Sequence, residues 1–260
     1  LFFQYDERGN TKVAFVSLEG KVQTLAADLG GVSHGRPYGG GLFDVNLVGV
    51  ADDGAVYVGN LSLTGDDYTV YRWGNDTPDA TTNTAMFAFS TLISGNLGIG
   101  RVGDTLAVRG AGISTQILLG SADTAKVALL TTADGMNFTA SVIDLSADAT
   151  IAAGFAGLGA VFGQGDTFWA KNSGYNLRLV AYDVNVGTGT LLNAFTSLPQ
   201  VSAIGVDVAN AYLAGVAFET PDNLRLYDLA DLTAEPRLAD QDFFPTDNAN
   251  IQNNGAVAFD

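Results

Sequence analysis

LVGVADDG (47–54), GDTLAVRG (103–110), GLGAVFGQG (157–165), AIGVDVAN (203–210) and NGAVAFD (254–260) are five versions of one pattern. Each is a short valine-centred run bounded by Gly, Asp or Asn, the composition of a strand entering or leaving a tight turn. With Val50, Val108, Val161, Val206 and Val257 as anchors, the steps are 58, 53, 45 and 51 residues. Self-similarity at a period of this length marks a repeat architecture.

Between anchors the same order returns. Three further strand patterns follow each one: AVYVGN (55–60), YTVYRW (68–73) and TAMFAFS (84–90) after the first, and TQILLGS (115–121), KVALLTT (126–132) and FTASVID (138–144) after the second. The third anchor leads into DTFWAKN (166–172), LRLVAYDV (177–184) and GTLLNAF (189–195), and the fourth into AYLAGVAF (211–218), LRLYDLA (224–230) and RLADQDF (237–243). Four strands per repeat is the blade of a β-propeller. The N-terminal segment supplies only LFFQYDE (1–7), TKVAFVSL (11–18) and KVQTLAAD (21–28), so the last anchor, GAVAFD, is the missing strand of a fifth blade. The expectation is therefore an all-β chain, one β-propeller domain over 1–260, with five four-stranded blades closed by pairing of the N- and C-terminal strands. Such closure removes exposed sheet edges. Six or seven blades completed by further material is the alternative.

Turn chemistry agrees with this reading. Asp53-Gly54, Asp134-Gly135 and Gly65-Asp66 are hairpin signals. Gly103-Asp104-Thr105 and Gly165-Asp166-Thr167 read as one turn repeated in two blades.

Composition excludes several functions. Twenty-eight acidic residues against twelve Lys and Arg give a net charge of −16, and the bases are scattered singly, so the clustered cations that nucleic acid requires are missing. The apolar runs, such as 151–162, are broken by glycines and are too short to span a bilayer as a helix, which needs about 20 residues. No cysteine is present, which removes disulfides, thiolate metal sites and a cysteine nucleophile. No EF-hand loop or phosphate-binding GxxxxGK[ST] occurs. The one histidine, His34, cannot build a multi-histidine metal centre, and no serine lies in a nucleophile elbow. No catalytic residue is assigned.

The candidates that remain are binding residues. His34, Arg36 and Tyr38 share the polar loop SHGRPYGGG, as ligand contacts or as plain surface. Trp73 and Trp169, with Tyr71, Tyr175 and Tyr182, form either a sugar-stacking face or core packing. Asp52, Asp207 and Asp260 each follow their anchor valine by one to three residues, and Asp247 lies in the polar loop 244–254. These four are the candidate calcium ligands, since Ca²⁺ takes six to eight oxygens; the other reading of the strand-end acids is capping of their own turns. Asp52, Asp104, Asp166 and Asp207 also offer the paired carboxylates of glycoside hydrolysis. Asn60-Leu61-Ser62, Asn75-Asp76-Thr77 and Asn137-Phe138-Thr139 match the glycosylation pattern.

VGVADDGAVYVGNL (48–61), YRW (71–73), RVGDTLAVRGAG (101–112), GDTFWAK (165–171), FETPDNLRLYD (218–228) and TDNANIQNNGAVAFD (246–260), taken in order, resemble a family of secreted bacterial proteins. That family is classed as a domain of unknown function, and its members often carry a sorting tail of the PEP-CTERM type. The resemblance implies export to the cell surface or the extracellular space. It implies no activity, cofactor or catalytic residue. The expected function is a non-enzymatic structural or binding module that self-associates or meets a surface polymer or glycan, with calcium as the one cofactor envisaged. A carbohydrate-active enzyme using Asp52 and its counterparts is the alternative.

Overall fold

The computed structural model describes residues 2–4, 12–16, 22–24, 43–63, 67–75, 86–92, 97–148, 151, 159–171, 177–194, 201–209, 211–217, 224–231, 233–234 and 236–238. The fold is all-β. Two compact units divide the chain: Leu1–Leu119 with Ala128–Ser141, and Gly120–Val127 with Val142–Asp260. Among the described residues no helix is long and apolar enough to cross a membrane.

The first unit opens with a three-stranded antiparallel sheet, β1 (Phe2–Gln4), β2 (Lys12–Val16) and β3 (Val22–Thr24). An antiparallel sheet of four strands in sequence order follows: β4 (Phe43–Val50), β5 (Val56–Leu61), β6 (Asp67–Trp73) and β7 (Met86–Leu92). Every residue of β5 is buried, as are Tyr68 to Tyr71 in β6. Strands covered on both faces are the ones that read as continuous apolar runs rather than as alternation.

The Asp53-Gly54 signal turns β4 into β5, with Gly54 at φ 84°. At the other end of the β5–β6 pairing, backbone register stops at Gly59 opposite Val70. There the Asn60 side chain takes over, accepting from the Thr69 N–H (2.9 Å) and donating to the Asp67 carbonyl (3.1 Å). Asn60 is fully buried, so this glycosylation triplet is structural. Asn137 is exposed, and its amide donates to Asp134 (2.7 Å).

β8 (Val102–Arg109) lies in the first unit, and β9 (Gln116–Ser121), β10 (Lys126–Thr132) and β11 (Phe138–Asp144) complete a meander across which the division between units runs. Leu106 and Val108 press on Gly49 and Gly59, where a Cβ would collide with them. Asp134-Gly135 makes the β10–β11 turn: Oδ1 of Asp134 accepts from the backbones of Met136 and Asn137.

The second unit holds two further sheets in sequence order: β12 (Ala160–Phe162), β13 (Thr167–Ala170), β14 (Arg178–Asp183) and β15 (Thr188–Ala194), then β16 (Val201–Asp207), β17 (Tyr212–Ala217), β18 (Leu224–Asp228) and β19 (Arg237–Leu238). Adjacent strands within each are antiparallel. One parallel bridge, Asp144 to Thr188, joins β11 to β15 and makes an eight-stranded sheet. Each strand expected between residues 43 and 238 has its counterpart here. The closing strand at 254–260 lies outside the described residues.

Asp104 and Asp166 correct one expectation. Gly103-Asp104-Thr105 is inside strand β8, where Gly103 at φ 112° lies against the Asn60 carbonyl. Gly165-Asp166 instead forms the turn between β12 and β13, with Gly165 at φ 58°. The two triplets share letters and occupy different structural positions. Asp104 is committed to an ion pair with Arg101 (2.5 Å).

Candidate ligand site

The two sheets of the second unit pack through facing rows. Register places Val161, Trp169 and Leu179 side by side across β12, β13 and β14, and Val206, Leu213 and Tyr227 side by side across β16, β17 and β18. Trp169, Leu177, Ile204, Leu213 and Tyr227 form one buried core, with Val161, Leu179, Val206 and Leu229 packed against it. Side chains two apart on a strand share a face, which is how Ile204 joins Val206.

At the turn end of these rows the packing opens into a cleft of about 260 Å³, with Trp169, Leu179, Val206 and Leu229 among its walls. Gln164 and Thr167 supply its polar edge. The Thr167 hydroxyl donates to the Gln164 carbonyl (2.7 Å), and the Thr167 carbonyl accepts from Gly163 N–H (2.9 Å). A Cβ on Gly163 would meet the Thr167 hydroxyl at 2.5 Å, so glycine is needed there.

The opposite wall is the β16–β17 turn. Ala211 has φ 57°, the one non-glycine residue in the left-handed region among those described. That conformation costs an L-residue about 1–2 kcal/mol. The Ala211 carbonyl accepts from Leu229 N–H (2.8 Å), and the Asp228 carboxylate accepts from Ala230 N–H (2.9 Å). These bonds hold Leu229 and Ala230 against the cleft.

Of the candidate binding residues named from sequence and described in the structure, Trp169 alone lines the cleft, and it is 3% exposed. Trp73 is 1% exposed and packs in the core of the first unit, with Tyr71 also buried; this corrects the idea of a stacking face there, because neither ring is open to a sugar. Tyr182 packs on Phe168, ring centroids 5.8 Å apart. His34, Arg36, Tyr38, Tyr175, Asp247 and Asp260 lie outside the described residues.

Asp52 is exposed in the β4–β5 turn, where its backbone N–H donates to the Gly110 carbonyl (2.8 Å). Its neighbour does the side-chain work: the Asp53 carboxylate accepts from Ala55 N–H (3.1 Å) and from Gly112 N–H (2.8 Å). Partial burial pushes the Asp53 carboxyl up, but those two bonds, together with its own backbone N–H and the charge of Arg72, outweigh it and hold the group below its ordinary value. Asp207 sits in a row with Tyr212 and Asp228 on the sheet face away from the cleft, and the Arg237 guanidinium lies 5.8 Å from the Tyr212 ring centre. Among the described residues no group of three or more His, Cys, Asp and Glu is placed to hold a metal ion.

Sequence reasoning did not single out Lys171. Its side chain is fully buried, and loss of hydration brings its ammonium down to about 7. The only advance signal was a lysine at the end of the apolar run TFWAK (167–171).

No family model matches the chain, and no curated protein matches it in sequence. Solved structures do. The chain is similar to a DUF4623 family protein from Bacteroides eggerthii, with TM-score 0.55, 15% identity, and coverage of 90% of this chain and 54% of that one. It is also similar to Sqt1 from Chaetomium thermophilum (TM-score 0.50, 13% identity, 86% and 51% covered) and to a protein from Bacteroides uniformis described as a putative 6-phosphogluconolactonase (TM-score 0.50, 14% identity, 89% and 64% covered). The chain thus spans between half and two thirds of the length of these proteins. At such identities the likeness speaks for the fold alone, a β-propeller-like all-β arrangement.

Proposed function

We propose that the chain is an exported, non-enzymatic β-propeller of five blades, acting as a structural or binding module at the cell surface or in an extracellular assembly. The observation that carries the ring is the strand count. Among the described residues four meanders have four strands each, while β1–β3 has three, and the sequence NGAVAFD (254–260) has the pattern of the fourth. Residues 255–260 pair beside residues 1–7 in this reading. Deleting 255–260 leaves an unpaired strand edge and causes aggregation; a soluble monomer with unchanged melting temperature overturns the closure.

The binding role is supported by a cleft whose described lining residues have apolar and neutral polar side chains, with no acid, base or nucleophile pair among them. Export follows from the resemblance to secreted bacterial proteins. Calcium, for which Asp52, Asp207, Asp247 and Asp260 are the candidate ligands, strengthens self-association or attachment to a surface polymer by bridging carboxylates on facing loops, the 244–254 loop and the Gly65-Asp66-Asp67 turn. Light scattering with millimolar Ca²⁺ and then with chelator tests this: an unchanged monomer in both removes calcium from the reading. Polysaccharide cleavage that disappears when Asp52 and Asp207 are both replaced by Asn overturns the non-enzymatic assignment.

A further inference from the structure

The cleft over Trp169 has a chemistry of its own. Seven of the nine described residues that line it are apolar: Trp169, Leu179, Val206, Val208, Ala211, Leu229 and Ala230. The broad surface of Trp169 is already covered by core neighbours, so a sugar ring has no platform on which to stack. A charged ligand fares no better, since an ion taken out of water without a partner costs several kcal/mol. An apolar cavity of about 150 Å³ takes up benzene. At about 260 Å³ this one has room for two fused rings.

One edge is polar. The Thr167 hydroxyl hydrogen is already given to the Gln164 carbonyl (2.7 Å), so Thr167 has acceptor capacity left, beside the amide of the exposed Gln164. The small side chains of Ala211 and the exposed Ala230 are part of the lining, and Ala211 is kept in its unfavourable conformation while its carbonyl is tied to Leu229. Val208, also in the wall, is 45% exposed. Covering it is a hydrophobic gain open to a ligand.

We infer that the cleft between the β12–β15 and β16–β19 sheets binds a neutral, flat aromatic compound of one or two rings. Its apolar body fills the space beside Trp169, and a single hydrogen-bonding group meets Gln164 and Thr167. This deepens the binding-module reading and rests on it for its biological setting only.

The experiment titrates the full chain with 2-naphthol, following saturation transfer from protein to ligand by NMR, with naphthalene-2-sulfonate and cellobiose in parallel. Ala230→Phe fills the mouth from an exposed turn position, and Val208→Asp places a charge in the wall. Circular dichroism melts confirm that both variants are folded. Binding of 2-naphthol saturates at one molecule per chain, and both variants weaken it at least about ten-fold, the scale of steric exclusion from an apolar pocket. Absence of saturation in the unaltered chain, binding by both variants as tight as that of the unaltered chain, or a sulfonate or cellobiose affinity equal to that of 2-naphthol overturns the inference. Failure of the 255–260 deletion to cause aggregation bears on ring closure and leaves this titration unaffected.

Discussion

Lys171 runs over the face of Gly159. The Lys171 N–H donates to the Gly159 carbonyl (2.8 Å), and a Cβ placed on Gly159 would stand 2.6 Å from Cε and 2.8 Å from Cγ of the lysine. The near end of the side chain, not only its flexible tip, is in the way. Gly159→Ala is therefore expected to destabilise the second unit by about 1–3 kcal/mol, the usual cost of overpacking. Urea denaturation measures it, and an unchanged midpoint refutes the contact.

The same lysine sets a pH dependence. Burial lowers its ammonium to about 7 in the folded chain, against about 10.4 when unfolded. Between these values the unfolded chain binds more protons, so stability rises with pH through this window. Below 7 the lysine is charged in both states and its burial penalty is fully felt; above about 10.4 it is neutral in both and the penalty is gone. Lys171→Met is expected to flatten that rise by a few kcal/mol. The check is urea unfolding of both proteins at pH 6, 8 and 10, and parallel profiles contradict the assignment.

The strand order was legible because turn chemistry and period agree: Asp53-Gly54 and Asp134-Gly135 sit where glycine at positive φ closes a hairpin. The cleft was not legible. Its walls come from two sheets, and nothing in the local pattern of Thr167 or Ala211 reports that they face each other. The aromatic candidates show the same limit. Trp73 and Trp169 have similar strand contexts, yet only Trp169 comes to a place where the packing rows part. Acids misled for a related reason, since ADDG (51–54) does not say which aspartate turns back onto the backbone; Asp53 does, because its carboxylate also reaches Gly112.

Replacing those two acids separates them. Asp53→Ala removes acceptors for Ala55 and Gly112, two backbone donors whose positions are 59 residues apart from the aspartate in one case, and is expected to cost about 1 kcal/mol, as loss of a cap does. Asp52→Ala leaves its backbone bond to Gly110 intact and is expected to stay within about 0.5 kcal/mol of the parent. The Asp53 contribution is present above the unfolded carboxyl value and is lost as pH falls through its lowered folded value. Equal melting shifts for the two variants, or a shift for Asp53→Ala that persists in strong acid, contradict this.

Tyr68 and Gly59 are coupled in the first unit. The Tyr68 hydroxyl is buried without a hydrogen-bond partner among the described residues, burial raises its titration far above the ordinary tyrosine range, and it lies where a Cβ on Gly59 would go. Tyr68→Phe is expected to be neutral or to stabilise by about 1 kcal/mol, because an unsatisfied buried hydroxyl is removed. Gly59→Ala alone is expected to destabilise by about 1–3 kcal/mol, and part of that loss returns in the double variant. A double-mutant cycle by chemical denaturation reads the coupling; strict additivity denies it.

Ala211 gives the last test, since its strain belongs to the wall of the cleft. At φ 57° an alanine stores conformational energy that glycine does not. The relief from Ala211→Gly is offset by the larger entropy of glycine in the unfolded chain, about 0.4–1 kcal/mol. The net change is therefore small and stabilising, by up to about 1 kcal/mol. Ala211→Val moves the other way, because a β-branched residue at positive φ is a genuine outlier, and is expected to lose at least about 1 kcal/mol. Thermal melts of the two variants should fall on opposite sides of the parent. If valine is tolerated as well as glycine, the left-handed turn is not what holds Leu229 and Ala230 in place.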